Sequence, residues 1–441
     1  MKTKMTDRLS TNQDTCRILA AGETASNNTW KTGLNNNDLV IGSTGAGKTR
    51  SYVKPNLLQG NESFIVTDTK GLLVKEVAPA LKRAGYRVMH VDFTDPGSSF
   101  GYNPLDYVRY DAKKGKYNEQ DILKISESLC PVEDFREPFW DHAARLYVEA
   151  LIGYVLECLP KKEHTLEYVL KLQSAMTTTT ETLLDENLAQ NPDSFTSRKY
   201  ASFKGSERAD KMNASILGII AEKLDSLTFD GTMRMYSKKN RIRFRDIADE
   251  KTAVFLTVSD TDRSMDRLVS LFYAQAMQDL CDYADKEGLS GTLPVPVRLY
   301  LDDFATNCVI ADFDNIISVI RSRGMSVSII LQSLTQLSGI YGEAKACTIV
   351  NGCDHILYLG GQDRKTVEYV SLRAGKTADT VMNMPLGRGY LFCRGTAPKQ
   401  VTPYSLKTHP RYSELDECAP EASAGQDPIP DEQYSEGKES I

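Results

Sequence analysis

The sequence predicts an α/β protein with a predominantly parallel sheet that is interrupted by an inserted helical domain. Apolar segments of strand length alternate with helical segments in two separate parts of the chain, 38–105 and 246–411, as is typical of a parallel sheet. Several of these strands are apolar at nearly every position, which is expected when helices cover both faces of a sheet. Residues 106–245 have helical spacing instead. We therefore predict one α/β domain built from both parts, with 106–245 as an all-helical insertion.

The two ends of the chain differ in composition from this middle. Residues 1–37 are polar and rich in Asn, which predicts a flexible lead-in or at most a short edge element. Residues 412–441 are acidic and contain Pro, Ser and Gly, which predicts a disordered tail. The whole chain has 441 residues, 41% of them hydrophobic and 25% charged, with a net charge of −6. These values indicate a globular protein that is not uniformly basic, although a local basic channel is compatible with them.

The first α/β part contains three strand segments separated by two helical segments. The strands are predicted in DLVIG, SFIVTD and YRVMHVDF. The first helix follows the glycine-rich segment after DLVIG, and the second, LLVKEVAPALKRA, is closed by Gly85. This βαβαβ order predicts parallel strand pairing.

The insertion contains five predicted helices, and the second α/β part contains five predicted strands. In the insertion, helices are predicted in NEQDILKISESL, EPFWDHAARLYVEALIGYVLECL, TLEYVLKLQ, TTTTETLLDENLAQ and KMNASILGIIAEKLDSL. In the second part, strands are predicted in TAVFLTVS, PVRLYLDDF, SVSIILQS, DHILYLG and GYLFCR. A long helix over 263–286, a helix in FDNIISVIRSRG, two short helices across 334–352 and a helix over 363–374 separate these strands.

The glycine-rich segment after the first strand predicts a nucleotide-binding P-loop. It reads Gly42, Ser43, Thr44, Gly45, Ala46, Gly47, Lys48, Thr49. The glycines let backbone N–H groups surround phosphates, Lys48 can reach the β- and γ-phosphates, and the Thr49 hydroxyl can bind Mg²⁺. The positive N-terminus of the following helix favours the same anion. ATP with Mg²⁺ is the expected ligand, and a glycine-rich turn without a ligand is the alternative.

Hydrolysis also needs an acidic group at the end of another strand, and VRLYLDD supplies two. Parallel strands end at a common edge, so Asp302 and Asp303 are expected beside the P-loop. Asp302 is predicted to hold Mg²⁺ through water, and Asp303 to polarise the attacking water. Two solvated carboxylates in a turn are the alternative. Asp in place of the more usual Glu makes the Asp303 side chain one methylene shorter.

The next strand, SVSIILQS, places Gln332 at the same edge, where an amide can sense the γ-phosphate or orient water. Arg321 and Arg323 end the helix before that strand. They either stabilise the helix C-terminus, as basic residues do in many proteins, or one of them is an arginine finger that reaches a neighbouring subunit's nucleotide. We expect Arg321 to leave the carboxyl edge of the sheet.

Several of these motifs together resemble the conjugative coupling proteins, the TraG/TraD-type ATPases of type IV secretion and plasmid transfer. The resemblance runs from about 38 to about 405. It rests on GSTGAGKT, TDTKG (67–71), NPL (103–105), FWDHAA (139–144), LDDFA (301–305), RSRGMSVSIILQSLTQL (321–337) and the run YGEAKACTIVNGCDHILYLGGQD. The family's usual acidic residue after Lys-Gly is Leu72 here, so the contact of that acid is not expected.

The resemblance implies a RecA-like domain with an all-helical insertion, a ring of six subunits and DNA-stimulated ATPase activity. By position, Lys48, Thr49, Asp302, Asp303, Gln332 and Arg321 match the family's functional residues. Single-stranded transfer DNA, a relaxase with accessory proteins and the type IV secretion channel are the implied partners. Two alternatives stay open: a ring DNA translocase outside conjugation, and a docking receptor for protein substrates that uses nucleotide as a switch.

Membrane association is expected only through a partner. The first residues lack the apolar core of a signal peptide, and no run of 18 apolar residues occurs, whereas family members commonly begin with membrane-spanning helices. Nine scattered cysteines without a CxxC motif suit a reducing compartment. We therefore expect a cytoplasmic protein that lies peripherally at the inner face of the cell membrane.

Overall fold

The computed structural model describes residues 15–133, 135–175, 178–206, 210–288, 290–304 and 309–415. This described part falls into two compact units. One lies within Met1–Met89, Phe244–Asp260 and Leu280–Ile441, and the other within His90–Arg243 and Thr261–Asp279. The second unit thus begins before residue 106, at which the sequence pattern starts the insertion, and it takes in a further segment beyond residue 245.

The strands are β1 (Cys16–Ala20), β2 (Glu23–Ser26), β3 (Asp38–Ile41), β4 (Ser63–Asp68), β5 (Arg87–Asp92), β6 (Tyr110–Asp111), β7 (Lys116–Tyr117), β8 (Thr252–Thr257), β9 (Val297–Leu301), β10 (Met325–Leu331), β11 (His355–Tyr358), β12 (Gly389–Cys393) and β13 (Lys399–Val401). Nine of them form one sheet in the order β13-β12-β11-β3-β10-β9-β4-β8-β5. β3 pairs in parallel with β10 and β11, and β4 pairs in parallel with β9 and β8. Only β12 and β13, at one end of this order, are joined by antiparallel pairing among the described pairs of the sheet.

The helices are α1 (Thr29–Thr32), α2 (Lys54–Gln59), α3 (Leu73–Arg83), α4 (Glu119–Leu129), α5 (Phe139–Cys158), α6 (Leu166–Ser174), α7 (Thr178–Gln190), α8 (Phe195–Ser206), α9 (Asp210–Asp225), α10 (Asp230–Ser237), α11 (Phe244–Asp249), α12 (Asp266–Glu287), α13 (Phe313–Val319), α14 (Leu334–Asn351), α15 (Arg364–Ala374) and α16 (Ala378–Met382). The two short helices expected across 334–352 appear as α14 with a break at Gly342, where φ is +74°. In the described part of the chain, no helix is both long and apolar enough to cross a membrane.

The core of the first unit forms around the sheet, because its central strands are buried on both faces. Leu39, Val40 and Ile41 of β3 are all fully buried, which follows from coverage of both sheet faces. On one face, α2 and α3 contribute side chains such as Leu57, Val77 and Leu81 to the core. The sheet therefore holds the P-loop strand β3 between β10 and β11, in the middle of a rigid layer.

The helix after the P-loop begins with a wide turn. Residues Thr49–Val53 form one π-helical turn, and α2 continues from Lys54. Pro55 has no N–H and cannot donate to the preceding turn of an α-helix, so a local widening immediately ahead of it is understandable.

The lead-in predicted to be flexible is ordered where it is described. β1 and β2 form an antiparallel hairpin, and Arg17 of β1 is only 2% exposed because it is ion-paired to Asp38 at 2.6 Å. A flexible lead-in is therefore wrong for residues 15–37, where short ordered elements form instead. Its local signals were weak because the hairpin is held by a residue in the next segment of the chain. Residues 1–14 lie outside the described residues.

The insertion is not entirely helical. A glycine turn at Gly115, with φ of +64°, joins the two-residue strands β6 and β7, and Tyr110 packs on Tyr117 across them with 4.9 Å between ring centroids. Strands this short leave no alternation that a sequence pattern can detect. The helical part of the unit is centred on α5, which is apolar on most faces and packs on α8.

The acidic tail begins in contact with the first unit. Arg411 donates to the carbonyl oxygens of Leu58 (2.8 Å) and Ala80 (2.7 Å), and Tyr412–Glu414 form one 3₁₀ turn. Residues 412–415 are therefore ordered, contrary to the prediction for them. The rest of the predicted disordered tail, 416–441, lies outside the described residues.

Candidate nucleotide-binding site

The P-loop leaves β3 at its carboxyl end in a conformation that needs glycine. Gly45 and Gly47 have φ of +81° and +80°, where a side chain would be strained. At Gly42, a Cβ would lie 3.0 Å from the Ala46 Cβ and 3.1 Å from the Leu359 Cβ, so the loop folds closely on itself. Its backbone therefore has the shape in which N–H groups can surround an anion.

Lys48 is held against this loop and close to two acids. Its side chain is nearly buried, and Nζ donates to the carbonyl oxygens of Gly42 (2.8 Å) and Ser43 (3.2 Å). Burial lowers the pKa of the Lys48 ammonium, while the carboxylates of Asp303 and Asp302 act in the opposite direction. The P-loop cation and both predicted acids thus share one site.

Thr49 and Asp302 join the P-loop to the strand β9. The Thr49 hydroxyl donates to Asp302 Oδ2 at 2.6 Å. Burial raises the pKa of Asp302 to about 6, and the hydrogen bond from Thr49 opposes that shift in part. Hydroxyl and carboxylate oxygens in contact form the donor set that Mg²⁺ prefers, so these two residues fit a magnesium site.

Asp303 follows in a strained backbone conformation. Its φ is +51°, a left-handed value that Asp tolerates better than most residues, and its N–H donates to Asp302 Oδ1 at 3.1 Å. Asp302 is directed to Thr49, and the charge of Asp303 is felt by Lys48.

Gln332 comes to the same edge from β10. The Gly42 N–H donates to the Leu331 carbonyl at 3.1 Å, which ties the end of β10 to the start of the P-loop. The Thr44 hydroxyl then donates to Gln332 Oε1 at 3.3 Å. The amide therefore lies at the tip of the loop, as the sequence pattern predicts.

Arg321 is not brought to this site within its own chain. It precedes the start of β10, and β10 runs parallel to β3, so Arg321 lies at the amino edge of the sheet, opposite the P-loop. There it is exposed and donates to the Thr29 carbonyl of α1 at 3.3 Å. The expectation that its side chain leaves the carboxyl edge is wrong, because a helix that leads into a parallel strand ends at the amino edge. The neighbouring Arg323 pairs with Asp285 at 2.8 Å.

The loop after β11 also belongs to the site, although its sequence was not assigned to it. The loop after β11, Leu359–Asp363, borders the P-loop, since the Ser43 N–H donates to the Gly360 carbonyl at 2.9 Å. Asp363 accepts from Thr335 at 2.7 Å and caps α15, which fixes the loop to the helix after Gln332. A usable signal existed: an apolar strand that ends in Gly-Gly at the same sheet edge.

The chain matches a known protein family over most of its length. Residues 2–383 match a family described as Type IV secretory system Conjugative DNA transfer. The chain is 23% identical over 342 residues to the protein VirD4 of Rhizobium rhizogenes, a match that covers 77% of this chain and 49% of the relative. It is 21% identical over 363 residues to the conjugal transfer protein TraG of Rhizobium radiobacter, covering 77% of this chain and 52% of that protein. The chain thus spans about half the length of the curated relatives it matches.

Solved structures agree on the fold. The conjugative coupling protein TrwBdeltaN70 in complex with sulphate superposes with a TM-score of 0.65 at 16% identity, covering 90% of this chain and 91% of that one. The plasmid coupling protein TrwB in complex with ADP and Mg²⁺ gives a TM-score of 0.64 at 16% identity with the same coverage. These matches confirm the RecA-like α/β fold with a predominantly parallel sheet. Because the family match covers most of the chain, the chain belongs to the conjugative DNA-transfer proteins of type IV secretory systems.

Proposed function

We propose that this chain binds ATP with Mg²⁺ at the carboxyl edge of its sheet and hydrolyses it. The observation that carries the proposal is the 2.6 Å hydrogen bond from Thr49 to Asp302, which joins the P-loop to the acid of another strand. A loop that only turns the chain needs no such partner. The related TrwB has been solved with an ATP analogue and with ADP and Mg²⁺, which supports the same ligands here.

Each side chain then has a distinct task. The loop residues Gly42, Ser43, Thr44, Gly45, Ala46 and Gly47 surround the phosphates. Lys48 leaves its two carbonyl partners to bind the β- and γ-phosphates, and Thr49 with Asp302 would hold Mg²⁺, the latter through water. Bound Mg²⁺ supplies positive charge to the phosphate oxygens. Asp303 accepts a proton from the attacking water, and Gln332 orients that water.

The energy of hydrolysis serves DNA transfer. We propose that the protein recruits relaxase-bound DNA, as a single-stranded transfer intermediate, and drives or gates its passage through a type IV secretion channel. Relaxase, accessory proteins and channel components are its partners, and it acts in the cytoplasm at the inner face of the cell membrane. Membership of the conjugative DNA-transfer family supports this assignment.

The proposed assembly is a homo-hexameric ring in which Arg321 completes the site of a neighbouring subunit. Arg321 is exposed and lies far along the sheet from its own P-loop edge, so it has no role in hydrolysis within its own chain. A guanidinium supplied from a neighbour would neutralise charge on the transferring phosphoryl group.

Measuring phosphate release by the full chain, with and without single-stranded DNA, tests the proposal. We expect Mg²⁺-dependent turnover that rises when single-stranded DNA is added. Nucleotide binding without turnover would contradict the ATPase assignment and favour the docking receptor. Turnover that no DNA stimulates would contradict the proposed motor.

A further inference from the structure

The second unit carries a dense run of positive charge that the nucleotide site does not use. The basic strip comprises Arg234, Lys238, Lys239, Arg241 and Arg243, with no acidic residue among the ten residues from 234 to 243. The chain as a whole has a net charge of −6, so this run is a local exception to its composition. All of the strip lies within one compact unit.

The backbone of the basic strip is fixed against the loop that contains Gly101. The Gly101 N–H donates to the Asn240 carbonyl, and the Ile242 N–H donates to the Gly101 carbonyl, both at 2.9 Å. A Cβ at Gly101 would lie 2.7 Å from the Met235 carbonyl oxygen, so only glycine permits this approach. Ile242 is buried at 1% exposure. Its neighbours Arg241 and Arg243 therefore point to the other side of an extended segment.

Three of the five cations have partners in the chain. These are Arg234, which donates to the Asp230 carbonyl at 3.2 Å; Lys238, which donates to the carbonyls of Pro96 and Ser99; and Arg241, which pairs with Asp106 at 2.5 Å. Lys239 and Arg243 are exposed. Within the described residues, neither side chain makes an ion pair or a hydrogen bond. Two cations are thus presented to solvent on a rigid backbone.

An exposed aromatic residue lies one helix ahead of the basic strip in the chain. Phe229 precedes α10, the helix that leads into the basic strip, and its side chain is 54% exposed. Its carbonyl accepts the Met233 N–H at 2.9 Å, which fixes its backbone at the start of the helix. Surfaces that combine cations with an exposed ring are typical of proteins that bind single-stranded nucleic acid, where bases stack on rings and cations contact phosphates.

We propose that the basic strip binds the backbone of single-stranded nucleic acid, with Lys239 and Arg243 on phosphates and Phe229 against a base. The inference rests on the proposed function, in which single-stranded DNA is the cargo, and it assigns the contact residues. A lipid surface is less favoured, because membrane-binding segments present an apolar face beside their cations, whereas Phe229 is a single exposed ring ahead of the strip.

A salt titration of oligonucleotide binding tests the assignment. The full chain is titrated into a fluorescent oligothymidylate at several salt concentrations, and the affinity is followed by anisotropy. For single strands, each phosphate contact adds about 0.7 to the slope of log affinity against log salt. Lys239→Gln with Arg243→Gln should therefore flatten the slope by about 1.4 and weaken binding roughly 25-fold at about 0.1 M salt. Phe229→Ala should weaken binding roughly fivefold or more without changing the slope, since stacking releases no counterions.

The matched control replaces Lys161 and Lys162 with Gln. These lysines are exposed in the same unit, so the net charge changes equally, and binding should stay near that of the unchanged chain. Equal losses in both double variants would overturn the assignment, because only net charge would then matter. An unchanged slope in the Lys239 and Arg243 variant would also overturn it.

The unchanged chain and the double variant also distinguish two further outcomes. If the unchanged chain binds no oligonucleotide, the DNA part of the proposed function and the strip assignment are both overturned, whereas an unchanged slope in the double variant overturns the strip assignment alone. If the double variant keeps oligonucleotide binding but loses binding to phosphatidylserine vesicles, the strip is a membrane contact and the assignment is overturned. Thermal unfolding by circular dichroism checks that the variants fold, which we expect because both side chains are exposed.

Discussion

Both edges of the central sheet hold acidic and basic residues. At the amino edge these charges are paired with one another, whereas at the carboxyl edge they are only partly paired. β3 reaches both edges, since it starts at Asp38 and ends at the P-loop. At the amino edge, Asp38 pairs with Arg17 at 2.6 Å and with Arg298 at 3.4 Å, and all three are buried. At the carboxyl edge, Lys48 contacts only backbone carbonyls through its described hydrogen bonds, although two acids lie near it.

The pKa shifts of the buried acids at the two edges have opposite signs, because the balance between burial and nearby positive charge differs. Burial by itself raises the pKa of Asp38, but Arg17, a hydrogen bond with His355 and Arg298 outweigh it and hold that pKa well below the usual range. At the carboxyl edge, burial prevails and raises the pKa of Asp302 to about 6. Buried charges that are fully compensated hold the structure together, whereas charges that are left partly uncompensated beside a glycine-rich loop are suited to a charged ligand.

The largest expected effect is at the carboxyl edge. Lys48→Ala should abolish ATP hydrolysis, because the P-loop offers no second mobile cation to the γ-phosphate. Lys31→Ala removes an exposed cation from α1 and is the matched control, with turnover close to that of the unchanged chain. Phosphate release measured at saturating ATP compares the two. Near-normal turnover in the Lys48 variant would refute the site.

The next largest effect is expected at the amino edge, where Arg321 is proposed to act at the nucleotide site of a neighbouring subunit. Arg321→Ala should lower turnover by roughly 10³–10⁵, as for other arginine fingers. Mixing Arg321→Ala chains with Lys48→Ala chains should restore some activity, because an intact P-loop in one chain then receives an intact arginine from the other. Arg323→Ala is the control, since Arg323 pairs with Asp285 in its own chain. Mixed rings that form and stay inactive would exclude a role in trans.

The two acids of β9 should separate binding from chemistry. Asp303→Asn should keep nucleotide affinity and lower turnover by roughly 10²–10⁴, the usual contribution of a general base. Asp302→Ala should instead lose the Mg²⁺ dependence of nucleotide binding, because Asp302 is the partner of Thr49. Binding of a fluorescent ATP analogue with and without Mg²⁺, followed by turnover, distinguishes the two variants. Normal hydrolysis by the Asp303 variant would remove it from the proposed mechanism.

The smallest effect on activity, and the largest on folding, is expected from the buried ions. Arg17→Met should lower the free energy of unfolding by about 3–5 kcal/mol, since it leaves Asp38 buried with fewer partners. Lys399→Met breaks a pair with Glu23 that also ties the β1–β2 hairpin, but that pair is largely exposed, and the change should stay below about 1 kcal/mol. Denaturant unfolding compares them. Equal losses would show that burial does not distinguish the two pairs.

Local motifs and periodic patterns in the sequence were sufficient to predict most of the fold. They were also sufficient to predict which residues lie at the carboxyl edge of the sheet. The apolar runs predict the main strands because a sheet covered on both faces imposes that pattern. The P-loop is a continuous motif whose glycines are needed by its own backbone. Asp302 and Gln332 follow two of those strands, and parallel strands end at one edge. Their proximity to Lys48 and Thr44 was therefore predictable without coordinates.

Features that depend on partners distant in the sequence could be seen only in the tertiary structure. The order of Cys16–Ala20 depends on Arg17 meeting Asp38, and a buried ion pair leaves no periodic signal in either segment. The hairpin β6–β7 is too short for any alternation, and the Gly360 loop joins the site only because β11 lies beside β3. Arg321 lies at the amino edge because chain direction in the sheet, rather than nearness to Gln332 in sequence, determines which edge a residue occupies.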